Sequence, residues 1–91
     1  MNDPTAVPDA ATRVLLLAIA ARLAAERPTG RMTPSTREAL AFAFATRRHG
    51  YGTALAEQVE QQLLAYAPVV ARGATRARYA KALRRAAVGD P

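Results

Sequence analysis

The sequence predicts an all-α domain, a small four-helix bundle or compact orthogonal helical array, and three observations carry that prediction. Alanine, the residue of best intrinsic helix propensity, makes up about a quarter of the 91 residues. Aromatic residues, which favour strands, make up only 5%. The six prolines and five glycines gather between periodic segments rather than inside them. A chain of this length holds one domain, expected over residues 9–89 behind a flexible arm of residues 1–8. So small a domain buries a modest share of its surface, which leaves a homo-oligomer open as a way to cover more.

The helices are expected at about residues 10–27, 34–48, 53–67 and 75–88. Asp9 precedes the first as its N-cap, where a carboxylate accepts from unpaired amides and suits the positive end of the helix dipole. Pro28 and Gly30 end it. On this helix Leu16, Ile19 and Leu23 form one stripe and Val14, Ala18, Ala21 and Ala25 a second of small residues, so both faces are expected to be buried. The alanine stripe would let another backbone come close, in this chain or in a second copy.

The segment "TPSTRE" announces the second helix, with Pro34 at its first position and Ser35 and Glu38 spaced as a capping box. Leu40 and Phe44 point one way and Phe42 nearly the other, and a neighbouring helix is expected to cover Phe42. The glycines of "RRHGYGT" break the chain, and Thr53 caps a third helix with apolar positions Leu55, Val59, Leu63 and Tyr66 opposite Glu57, Gln58, Glu60 and Gln61. Pro68 ends it, leaving "PVVARG" as a connector or an extra helical turn before the last helix.

Chemistry is constrained by what the chain lacks. The absence of cysteine excludes a disulfide framework, thiolate catalysis and the usual structural zinc sites. The apolar run Val14–Ala21 is closed by Arg22, far short of the roughly 20 residues that span a bilayer. No basic segment precedes it in the manner of a signal peptide, so the expectation is a soluble cytoplasmic protein without membrane partners. Neither a cofactor nor a metal is expected, and no catalytic residue is assigned. His49, the single histidine, sits in a basic, glycine-bearing loop with no evident carboxylate to orient it as a general base. Glu57 and Glu60 lie at i and i+3, a pair usually solvated, with no further ligands clustered beside them for a metal. "HGYG" has glycines but neither the GxGxxG spacing nor the GK[ST] ending of phosphate-cradling loops.

Charge is informative. The net charge is +6, and residues 1–67 carry seven arginines against six acidic groups, whereas Arg72, Arg76, Arg78, Lys81, Arg84 and Arg85 face Asp90 alone. Such asymmetry points to a partner, nucleic acid or an acidic protein surface, rather than to a fold. On the last helix Arg78, Lys81, Arg84 and Arg85 fall within about 120° of the wheel, with Tyr79, Ala80, Ala82, Leu83, Ala86 and Ala87 on the other side. Arg76 falls on the apolar side, its stem expected along the core edge. Basic residues suit a helix C-terminus for dipole reasons alone. Four on one face, with no acid between Gly73 and Gly89, exceed that ordinary pattern.

Arg47, Arg48 and Tyr51 could add phosphate contact and base stacking from the second loop. A helix-turn-helix is disfavoured, because the third helix would bring two glutamates and no cation to the groove. The expected function is therefore a non-enzymatic module that contacts nucleic-acid backbone through Arg78, Lys81, Arg84 and Arg85. The alternative is a protein-interaction subunit, adaptor or inhibitor, docking through Phe42 and the Val14, Ala18, Ala21 and Ala25 face. A membrane-surface role for the last helix is weaker, since it carries one leucine and no Trp or Phe.

Overall fold

The computed structural model describes residues 7–89. It holds four helices, α1 (Ala10–Ala25), α2 (Pro34–His49), α3 (Ala54–Tyr66) and α4 (Arg76–Ala87), in a small all-α bundle. The most extensive packing pairs α1 with α4 and α2 with α3, and α1 also touches α2 and α3. Most of the arm expected over residues 1–8 lies outside the described residues. Of its described end, Pro8 is buried.

Each helix begins with a side-chain cap, because the first amides of a helix have no partner within it. The Asp9 carboxylate accepts from the Thr12 amide at 2.7 Å, and the Thr33, Thr53 and Thr75 hydroxyls accept from the amides of Thr36, Ala56 and Arg78. The capping box expected from Ser35 and Glu38 does not form. Proline at N1 makes Thr33 the cap, which leaves Ser35 and Glu38 exposed within the first turns of α2. The first helix stops at Ala25 rather than Arg27. The residue before a proline is driven out of the α region, and Arg27 takes a left-handed conformation at φ 50°, with Glu26 as C-cap. The other boundaries fall within a residue of expectation, and Pro68–Ala74 is a connector without a helical turn.

The core comprises Leu16, Ile19 and Leu23 from α1, Ala41 and Ala45 from α2, Leu63 from α3, and Tyr79 and Leu83 from α4, with Met32 entering from the first loop. Three expectations about burial are corrected. The second stripe of α1 is not buried: Val14, Ala21 and Ala25 are exposed and Ala18 is half-buried. The fully buried small residues of α1 and α4, the two helices that pack most extensively, are instead Ala20, Ala80 and Ala87. Phe42 is covered only in part: it is 43% exposed, packs edge-on with the Tyr51 ring from the following loop, and lines a cleft with Ala56, Glu57 and Glu60 of α3. On α3, Leu55 is exposed and Ala56 is the buried residue of the first turn.

Arg37, singled out by nothing in the sequence pattern, ties α2 to the far end of α3. In a continuing helix the Leu64 carbonyl would accept from the amide four residues on, but that residue is Pro68, which has none. Arg37 Nη2 donates to it instead at 2.7 Å, and also to the Ala67 carbonyl at 2.9 Å, while Nε donates to the Pro68 carbonyl at 3.0 Å. The Tyr79 hydroxyl of α4 donates to the same Pro68 carbonyl. One carbonyl thus joins α2 and α4 at the end of α3. Burial pushes the Tyr79 phenol above its ordinary pKa, against the opposing influence of Arg37.

Candidate nucleic-acid interface

The position of α4 is fixed at its start by the first loop. The Met32 amide donates to the Ala74 carbonyl at 2.9 Å, the Arg76 amide to Gly30 at 2.8 Å and the Ala77 amide to Pro28 at 2.9 Å, around an antiparallel bridge between Arg31 and Thr75. With the Arg78 amide donating to the Thr75 hydroxyl at 3.2 Å, the first three amides of α4 are all occupied. The helix therefore presents no vacant amide nest at its N-terminus, and anion binding on α4 falls to its side chains.

Tyr79, Ala80, Leu83 and Ala87 turn inward, which sends Arg78, Lys81, Arg84 and Arg85 outward, all exposed. Arg78, Lys81 and Arg85, with Ala82 as floor, line a shallow groove of about 330 Å³; Arg84 stands on the same helix outside it. Among the described residues the single ion pair is Arg22 Nε with Glu26 Oε2 at 2.7 Å, so none of the four α4 cations has a carboxylate partner there. Arg76 is used differently. It is half-buried, and its Nε donates to the Glu26 carbonyl at 2.9 Å.

Arg47 and Arg48 occupy the last turn of α2, both exposed, with the Arg47 guanidinium 5.8 Å from the Phe44 ring centre. Because α4 packs chiefly on α1, these two arginines are not part of the α4 groove. Tyr51 is 84% exposed, held out between Gly50 and Gly52 at φ 93° and 76°. Such left-handed backbone favours glycine. The tyrosine lies with Phe42, Glu57 and Glu60 around a separate cleft rather than with the arginines before it.

His49 is half-buried and shares a cleft of about 230 Å³ with Asp9, Thr12, Gln58 and Gln62. Nothing in the spacing pairs Asp9 with this histidine, since 40 positions separate them. The Asp9 carboxylate is committed to its cap: hydrogen bonding from the Thr12 amide holds its pKa below the ordinary 3.8. The Thr12 hydroxyl donates to Gln62 Oε1 at 3.0 Å. Among the described residues no three His, Cys, Asp or Glu side chains come together as a metal site, and no helix is long and apolar enough to cross a membrane.

Comparison with protein-family models, with curated proteins and with solved structures finds no match.

Proposed function

We propose that this protein is a non-enzymatic helical module that holds a nucleic-acid backbone against the outer face of α4. The observation that supports this reading is the set of four exposed cations, three of them around one groove, with no carboxylate partner among the described residues. From Arg78 to Arg85 the helix rises about 10 Å, alongside which duplex DNA presents about six phosphate charges. Contacts of this kind position a backbone without reading sequence. Neutralising four phosphates gives a log–log salt slope of about −3.6 on duplex DNA.

The test is fluorescence anisotropy with a generic duplex and a generic single strand across a salt series. Binding that weakens with that slope, and that Lys81→Glu with Arg85→Glu abolishes, supports the reading. An absence of binding at about 50 mM salt, where such contacts are strong, refutes it.

A second reading rests on α1. A helix apolar all round is ordinarily covered on every side, yet Val14, Leu17, Ala21 and Ala25 are exposed. Here α1 docks on a second copy or a partner protein, and the basic face of α4 meets an acidic protein surface. Light scattering after size exclusion separates the two. A stable dimer without nucleic-acid affinity favours the second.

A further inference from the structure

The cleft that holds Tyr51 has chemistry opposite to that of α4. The Phe42 and Tyr51 rings stand at 85° with centres 6.0 Å apart, forming a corner of two aromatic walls. Glu57 and Glu60, on successive turns of α3, line the same cleft, and neither has an ion-pair partner among the described residues. Its volume is about 170 Å³. Gly52 lines it too, and a Cβ added there meets nothing within 4 Å.

Aromatic faces attract cations through their quadrupole, and carboxylates add a net charge of the complementary sign. A hard divalent metal is a poor fit, because two carboxylates fall well short of the six or more oxygens that calcium takes, and the rings supply none. A soft organic cation uses both features. The open cleft has room for a guanidinium or a methylated ammonium head. Thr46, also at the cleft, keeps its hydroxyl on the Phe42 and Ala43 carbonyls, so recognition falls to the rings and carboxylates.

We propose that the cleft formed by Phe42, Tyr51, Glu57 and Glu60 binds the guanidinium or alkylammonium head of a side chain presented by a partner polypeptide. The charge of the site argues for this occupant: in a chain of net charge +6, two carboxylates without an ion-pair partner among the described residues line the same cleft as the two rings. The assignment is independent of α4, because the two surfaces share no residue.

The test is an amide NMR titration of the full chain with two probes, N-acetyl-arginine amide and N-acetyl-trimethyllysine amide, against sodium chloride at matched ionic strength. Saturable shifts at Gly52, Glu57 and Glu60 in the millimolar range are expected. Tyr51→Leu should weaken binding about two- to five-fold through the lost ring. Glu57→Gln with Glu60→Gln should weaken it by a similar factor per charge, about two- to five-fold. Both variants alter exposed or half-exposed positions, and retained amide dispersion certifies the fold. No saturation by about 50 mM probe, or equal affinity in both variants and the parent, overturns the proposal. Concentration-dependent shifts of these amides together with those of Arg78 and Lys81 in the probe-free protein also overturn it, by assigning the cleft to α4 of a second copy.

Discussion

Replacing Arg37 by alanine removes three hydrogen bonds to the Leu64, Ala67 and Pro68 carbonyls. A bond from a charged donor contributes about 1.5–3 kcal/mol when desolvated. Arg37 is only half-buried, so water can reach part of what it leaves behind. Discounting each bond to about 1 kcal/mol gives a loss of about 3 kcal/mol. A domain of this size has a stability of about 5–14 kcal/mol, so the loss is a substantial fraction of the whole. Urea unfolding followed by far-UV circular dichroism measures it. With a slope of about 1.5 kcal/mol per molar, the midpoint falls by about 2 M. Arg37→Lys should recover less than half, because one ammonium cannot reproduce a planar fork spanning three carbonyls. A loss below about 0.5 kcal/mol for Arg37→Ala would refute the reasoning and make the guanidinium an ordinary solvated cation.

Ala80→Leu inserts a branched side chain where α4 packs fully buried, and overpacking should cost about 1–3 kcal/mol, read as a lowered thermal midpoint. Tyr79→Phe should cost about 0.5–1 kcal/mol, at the low end for a buried hydroxyl, since the Pro68 carbonyl keeps Arg37 as a donor. The same variant changes the alkaline limb of the stability curve. The folded state holds the phenolic proton more tightly than the unfolded chain, so this contribution is complete below the ordinary value of 10.0 and is lost as pH rises through the raised folded value. Tyr79→Phe should flatten that limb in a pH series of urea midpoints. Arg27→Gly should stabilise the chain by about 0.5–1 kcal/mol, because glycine takes the left-handed conformation at φ 50° without the steric cost, and an unchanged or lowered urea midpoint would count against it.

The four helices were legible because their signals are local. Asp9, Thr33, Thr53 and Thr75 cap within three residues of themselves, and Pro28 and Pro68 stop helices by steric rules that need no partner. The division of α4 into an inward and a basic outward face also came from spacing alone. What escaped depended on distant segments. The wheel of α1 offers two apolar stripes, and only the positions of α2, α3 and α4 decide which is covered. Phe42 is partly covered by the Tyr51 ring, which arrives from a loop whose path Gly50 and Gly52 set through two positive backbone torsions. The cleft with Glu57 and Glu60 follows from that path, so sequence spacing saw only a pair of solvated acids. The proline four residues after Leu64 signals a carbonyl in need of a donor from elsewhere, but nothing in the spacing names Arg37, 27 residues away, as that donor.

The pairing of α1 with α4 joins the first helix of the chain to the last, and the bonds from Pro28, Gly30 and Met32 to residues 74–77 close a loop of more than 40 residues. Closure over that distance carries an entropic penalty that is repaid only once both ends dock. The α2–α3 hairpin can assemble early from neighbouring residues, while Leu16, Ile19 and Leu23 wait for Tyr79 and Leu83 to arrive. During synthesis the apolar face of α1 thus stays open until α4 has emerged. A chain interrupted before Arg76 leaves that face without its principal cover, a species suited to capture by chaperones or removal by proteases rather than to function.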